Sequence, residues 1–292
     1  MSKLPDCLPI TVKSGYNIQG STEAIPRHFS AEERRYGYDN LTKGVDVSDE
    51  LDALLREVDK KKAELNVKTP LAPDAEEAYQ ERFLYDSIYH SNAIEGNKLT
   101  RDEVERVLVH NEVVAGKSLN DHVSILGYRD AILLGQHYIA NNTLITEHEI
   151  KKLHYKMLIN KQDMSGEYRH YNLMIRGHRP TSYEKVPQKM LQLCESRPSG
   201  TKHPIEDIAF FHLRLEKIHP FGDGNGRVGR LIINIMLEQK GYPAIIITLD
   251  DRKNYFEALN AYDGLDGNPR MGPMRILLAE LVSRQLDVLL AL

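Results

Sequence analysis

Along most of the chain the hydrophobic positions recur every three or four residues, the spacing of one buried helix face. Ser48 suits an N-cap ahead of Asp49 and Glu50, and Leu51, Leu54, Leu55, Val58 and Leu65 then form a single stripe. Pro70 and Pro73 break the pattern between Asn66 and Asp74. That break predicts an N-terminal arm and helix over 1–74 and a main body over 75–292. From Ala75 the helical period resumes. It brings Leu84, Ile88, Ser91 and Glu95 to one face before Gly96 stops the helix. Thr100 with Glu103, and Thr146 with Glu149, read as capping boxes that open further helices. Other helices are predicted over Asp121–Ala140, Pro187–Glu195, Pro204–Ile218, Gly226–Lys240, Arg252–Tyr262 and Met271–Leu292.

Three stretches depart from this period. The first 45 residues carry Pro5, Pro9, Gly15, Gly20 and Pro26 without periodicity and read as an extended arm. Gly166–Pro187 surrounds the short apolar run Leu173-Met174-Ile175 with glycines and prolines, which predicts an irregular loop holding a small β-hairpin. Ala244–Leu249 is strand-like but alone, so it cannot found a sheet. The predicted architecture is an all-α body with a minor hairpin.

Composition narrows the class. The 292 residues are 41% hydrophobic and 27% charged, which excludes disorder and collagen-like repeats. The net charge of −4 argues against a dedicated nucleic-acid binder. Lys60-Lys61-Lys62 reads as a solvated helix face. Cys7 and Cys194 make no zinc framework and point to a reducing compartment. MSKLPDCLPI lacks the apolar core of a signal peptide, and no stretch of about 18 apolar residues exists to span a membrane. The expectation is a cytoplasmic protein that binds neither nucleic acid nor membrane.

The chemistry concentrates in His219-Pro220-Phe221-Gly222-Asp223-Gly224-Asn225-Gly226-Arg227-Val228-Gly229-Arg230, between two predicted helices. Glycines alternating with small polar residues let backbone N–H groups converge into an anion nest. The next helix adds its N-terminal donors and partial positive charge. Arg227 and Arg230 lie three apart and project to similar sides. Together these features make a polyphosphate cradle. Asp223 would repel phosphate by itself, but with Mg²⁺ it becomes a hard oxygen ligand. His219, where the preceding helix ends, suits a general base for an incoming hydroxyl. Two decoys fall away. Gly224–Gly229 matches GxGxxG, but it follows a helical rather than a strand pattern. Gly116-Lys117-Ser118 has the tail of a P-loop, but Asn111 stands where that motif's first glycine belongs. His148 and His154 make no HExxH, so no zinc is assigned, and His212 reads as buried scaffold.

His219–Arg230 resembles the Fic motif, HxFx[D/E]GNGRxxR, at every defined position, and the similarity extends over about Ala75 to Leu292. The resemblance implies the Fic-fold helical bundle and an ATP-dependent protein adenylyltransferase. In that scheme His219 deprotonates a Ser, Thr or Tyr hydroxyl of a target protein, AMP is transferred, and pyrophosphate leaves. Asp223 holds Mg²⁺; Gly224, Asn225 and Gly226 hold the α- and β-phosphates; Arg227 supports the β-phosphate and Arg230 the γ-phosphate. Glycine at 226 favours nucleotidyl transfer over the phosphoryl transfer of the related Doc kinases, which carry a larger basic residue there.

Ser91-Asn92-Ala93-Ile94-Glu95-Gly96 resembles the family's inhibitory motif, [S/T]xxxE[G/N], on a helix of about 75–96. The resemblance implies that Glu95, with Ser91 one turn earlier, pairs with Arg230 and blocks the γ-phosphate site. Tyr171–Arg179 would be the flap that clamps the target by strand-like pairing, with Gly177 and His178 near the nucleotide. Tyr255 and Phe256 are carried over as adenosine-pocket residues, and Asp263 stands where relatives have asparagine. Three readings stay open: an autoinhibited AMP transferase; a de-AMPylase or UMP transferase using the same site; and a non-catalytic nucleotide-sensing module, against which the intact His219 argues. The apolar face of the last helix fits either the core or a second subunit, as in a homodimer. No winged helix follows it, so no DNA binding is expected.

Overall fold

The computed structural model describes residues 47–161, 163–175, 177, 179–195, 203–264 and 270–292. The predicted N-terminal arm lies outside them. Ten α-helices occur among the described residues: α1 (Val47–Lys68), α2 (Pro73–Ile94), α3 (Arg101–His110), α4 (Leu119–Ala140), α5 (Glu147–Met157), α6 (Val186–Glu195), α7 (Pro204–Ile218), α8 (Asn225–Gln239), α9 (Arg252–Asp263) and α10 (Gly272–Ala291). A 3₁₀ turn, Tyr183–Lys185, leads into α6.

Helix α8 organises the body because it is apolar on both sides. Ile233 and Leu237 enter one core with residues of α1, α7, α9 and α10. Val228, Leu231, Ile232 and Ile235 enter a second core with α2, α3, α4, α5 and α6. A helix apolar all round is a buried helix, and each side chain of this kind stabilises the fold by about 1.5–3 kcal/mol. Helix α8 is therefore held by both cores, its N-terminal part by the second through Val228 and Leu231. The motif loop is the stretch that leads into it.

Helix α10 turns Met274, Leu277, Leu278, Leu281, Val282, Leu286 and Leu289 inward, so its apolar face is covered by this chain. Helix α1 lies along it. The Lys61 ammonium donates to Ser283 and Asp287 of α10, each at 2.8 Å, and Lys68 donates to the Leu290 carbonyl at 2.7 Å. Lys62 donates to the Lys240 carbonyl at 2.8 Å and sits over the Tyr242 ring. The run Lys60–Lys62 is thus not simply a solvated face, since two of its three ammonium groups are spent on clamping α1.

The local signals read from sequence have specific outcomes. Thr100 and Glu103 form the reciprocal capping box on α3. At α5 the Thr146 oxygen accepts from His148, and its hydroxyl donates to the Glu149 carboxylate. Gly116-Lys117-Ser118 ends in the N-cap of α4, where Ser118 and Asp121 close a capping box. Residues Ala244–Thr248 form no strand, and Leu249 begins a turn. The Asn234 amide takes a strand partner's place, accepting from the Ile245 N–H and donating to its carbonyl, both at 2.9 Å. Among the described residues of 171–179 no paired strands occur, and Ile175 is the one bridge position. The flanking carbonyls of Tyr171 and Thr181 accept instead from the Arg169 guanidinium. No helix among the described residues is long and apolar enough to cross a membrane.

Helices α4 and α5 cross at Gly127, where an added Cβ would meet the Met157 carbonyl oxygen at 2.3 Å. Replacing an unobstructed helix glycine by alanine stabilises by about 0.5–1 kcal/mol. Here the sign reverses, because backbone cannot step aside: Gly127→Ala is expected to lose about 1–3 kcal/mol in urea unfolding.

Candidate functional site

Helix α7 ends at His219, whose backbone is left-handed (φ 49°, ψ 63°) and whose N–H donates to Leu215 at 2.9 Å. The turn throws the chain across the N-terminus of α8. Phe221 plugs it, fully buried and stacked on the His154 imidazole with ring centroids 3.7 Å apart. Asn225 closes the loop from the other side: its amide accepts from the Phe221 N–H and donates to the Phe221 carbonyl, both at 2.9 Å. The Asn225 side chain is therefore occupied in shaping the loop, and its free contribution to an anion is the backbone N–H. The first intrahelical bond of α8 is Val228 N–H to Gly224, so the amides of Asn225, Gly226 and Arg227 precede that ladder and face the loop as anion donors.

His154 fixes the loop's carbonyl side. Its Nδ1 accepts from the Gly166 N–H at 2.8 Å, so Nε2 carries the proton and donates to the Asp223 carbonyl at 2.9 Å. Burial pushes the His154 imidazole down to about 4, and the ring is neutral at physiological pH. It acts as a rivet rather than a base.

The charged groups alternate in sign around the α8 N-terminus. The Asp223 carboxylate, 39% exposed, accepts from Lys161 at 2.5 Å, from the Gly224 N–H at 2.6 Å and from Arg227 at 3.4 Å. Burial pushes that carboxyl up, but Lys161 and Arg227 outweigh it and hold it below the usual carboxylate range. Arg230 is buried. Its Nε donates to the Ser91 hydroxyl at 3.0 Å, and Nη2 donates to the Ser91 carbonyl and to Glu95 Oε1, both at 2.8 Å. Its other terminal nitrogen, Nη1, is buried without a hydrogen-bond partner. Burial pushes the Glu95 carboxyl up, yet the adjacent Arg230 charge wins and holds it below its ordinary value. Glu95 lies directly over Gly226, where an added Cβ would fall 2.3 Å from Oε1.

A divalent cation fits Asp223 only as one ligand among several. Among the described residues no group of three His, Cys, Asp or Glu side chains forms a metal cage. A half-exposed, ionised carboxylate suits a hard cation that takes its remaining ligands from phosphate oxygens and water. Lys161 holds that oxygen position with its own charge.

The structure brings His219, Asp223, Gly224, Asn225, Gly226, Arg227 and Arg230 to one loop and helix end, with Ser91 and Glu95 of α2 against them. It does not place Tyr255 in an open pocket. Tyr255 is 1% exposed, its hydroxyl 3.0 Å from His212 Nε2, with the Arg230 guanidinium 5.7 Å from its ring centroid. Tyr255 backs Arg230 from the core. Phe256 packs against the first core with Arg252 over its face at 4.7 Å. Gly177 is left-handed (φ 82°), as the turn residue of the predicted flap would be; His178 lies outside the described residues.

Sequence reasoning missed three residues that fix this loop. His154 and Lys161 reach Asp223 from 69 and 62 positions away, and Arg169 reaches the His219 carbonyl from 50 positions away. Arg169 is buried with no ion pair among the described residues, and burial pushes its guanidinium below its usual value. Nothing local in the sequence marks these partnerships, because each joins a helix or loop of ordinary pattern to a distant backbone or carboxylate group.

Residues 144–237 match the Fic/DOC family. Protein adenylyltransferase Fic of Nematostella vectensis is 33% identical over 227 residues, 76% of this chain and 51% of the relative. Its Drosophila melanogaster namesake is 32% identical over 210 residues, 70% of this chain and 42% of the relative. The chain thus spans about half the length of the curated relatives it matches. Among solved structures, a Fic domain containing signaling protein of Bacteroides thetaiotaomicron superposes with a TM-score of 0.72 at 26% identity, covering 81% of this chain and 95% of that one. Fic-1 of C. elegans (residues 134–508) superposes at 0.74 with 23% identity, covering 84% and 73%, and supports the fold.

The Glu95–Arg230 contact has a pH signature. The Glu95 carboxyl is lowered in the folded state, so its contribution is full above the ordinary glutamate value of 4.5 and is lost as pH falls through the folded one. Glu95 is 40% exposed, so the loss is nearer an exposed pair than a buried one. Glu95→Gln is expected to cost about 1 kcal/mol at pH 7, with the gap to the parent closing in urea unfolding at pH 3.5.

Proposed function

This chain belongs to the Fic/DOC family, and on that premise we propose that it is an autoinhibited protein adenylyltransferase, moving AMP from ATP to a hydroxyl of a target protein. The observation that carries the reading is the convergence of His219, Asp223, Arg227 and Arg230 around the free amides of α8. Names borne by relatives at 32–33% identity support it.

In this reading the polyphosphate lies along the α8 N-terminus, with its oxygens on the amides of Asn225 and Gly226. Arg227 and Arg230 neutralise the outer phosphates. Mg²⁺ held by Asp223 would draw charge from the phosphate oxygens as the leaving group departs. His219 takes the proton of the incoming Ser, Thr or Tyr hydroxyl. The hydroxyl oxygen bonds to the α-phosphorus, the bond to the bridging α–β oxygen breaks, and pyrophosphate carries off that electron pair. The stretch Tyr171–Arg179 receives the target as its flap. Positioning and charge stabilisation supply most of the rate.

Glu95 opposes this arrangement. Its carboxylate lies on Gly226 and on Arg230, in the space and on the charge a γ-phosphate would claim. The resting enzyme binds nucleotide with Arg230 already engaged, and the α-phosphate is out of line for attack. Intact-mass analysis after incubation with Mg²⁺ and ATP tests the whole scheme. Glu95→Gly should add AMP to the protein itself at least tenfold faster than the parent, and Glu95→Gly with His219→Ala should add none. Silence of the Glu95→Gly protein with ATP, UTP and CTP would sink the transfer reading.

A further inference from the structure

We propose that Arg169 is a positioning residue that couples the target-receiving stretch to the catalytic base, by holding the roots of residues 171–181 and the His219 turn on one guanidinium. The inference rests on the transferase reading for its consequence and on geometry alone for its mechanism.

Arg169 uses four of its five N–H donors on backbone carbonyls drawn from two segments. Nε donates to His219 at 2.8 Å, and Nη2 donates to Ile218 at 3.3 Å and also to Thr181. Nη1 donates to Tyr171 at 2.8 Å. The Arg169 N–H adds a bond to Pro220 at 2.9 Å, and Thr181 N–H donates to Lys217 at 3.3 Å. Both ends of the 171–181 stretch are thereby fastened to the last turn of α7. His219 is the residue most in need of a clamp. A left-handed conformation is uncommon for a side-chain-bearing residue and persists only where the surroundings fix it. Arg169 fixes the carbonyl of that very residue, while Leu215 holds its N–H.

A cation at a helix C-terminus is also an ordinary cap. Two features separate the coupling role from that. The fork spans Tyr171 and Thr181, which a cap has no reason to hold. It is also planar and rigid, whereas a lysine ammonium could answer the α7 carbonyls without reaching both roots. A target seated on 171–181 therefore acts on the same group that sets the His219 backbone, and target docking aligns the base.

The experiment compares Arg169→Lys and Arg169→Met with the parent, each also in the Glu95→Gly background. Hydrogen–deuterium exchange is followed in peptides covering Tyr171–Ile175 and Lys217–Phe221. Both substitutions should speed exchange at least tenfold in both segments and leave α4 and α10 unchanged. In the Glu95→Gly background Arg169→Lys should lower the rate of AMP gain at least tenfold, with ATP affinity by calorimetry within twofold. If Arg169→Lys restores parental exchange and rate, the residue is a helix cap and the proposal falls. It falls equally if one segment loosens without the other. Should Glu95→Gly itself gain no AMP, the transferase reading fails, while the exchange pattern still decides the coupling.

Discussion

A guanidinium sealed between two helices cannot keep its charge without an answering oxygen, and the environment of Arg230 is built to that requirement. Ser91 answers with its hydroxyl and its carbonyl, and Glu95 with its carboxylate, all from α2. The Ser91 contacts are buried, while the Glu95 carboxylate, 40% exposed, closes the cluster on its open side. The arginine thereby adds polar contacts between α2 and α8 to the apolar ones they share in the second core. The same charge that secures the helix pair is the one a polyphosphate would seek.

The rest of the site inherits its precision from α8. A helix gripped by two cores has little freedom to rotate or slide, so its first amides stay fixed in space. The inner side of the loop before it is shaped by neutral groups, the Asn225 amide, the Phe221 ring and the uncharged His154 imidazole, while the Arg169 guanidinium holds the His219 turn. The charged side chains Lys161, Asp223, Arg227 and Arg230 gather at the same helix end. Neutral scaffolding also keeps the loop geometry indifferent to pH over the physiological range.

Much of this was legible in the sequence, for reasons that differ by element. Helix α7 was predicted at its observed limits because its apolar period and its terminal proline agree. The motif loop was legible because its chemistry is contiguous. Ser91 and Glu95 were found because one helix turn brings them together and the resemblance supplied their partner. What escaped had no local signature. Arg169, His154 and Lys161 act on groups 50 to 69 positions away. Ser118 was set aside as part of a false P-loop when its real work is to cap α4. Leu173-Met174-Ile175 has strand composition, and among the described residues around it only Ile175 is a bridge position, with Arg169 holding the Tyr171 and Thr181 carbonyls. That Tyr255 stands behind Arg230 was not legible, because composition cannot tell an aromatic that lines a cleft from one that supports the cleft's wall.

Glu95 and Gly226 share one small volume, since the carboxylate oxygen stands where a side chain at 226 would begin. The two positions are consequently not free to drift apart in descent. A side chain at 226 requires the Glu95 carboxylate to leave its present place, and a carboxylate kept in that place requires glycine at 226. The clash makes these residues one heritable character, written at two places 131 positions apart (226 − 95).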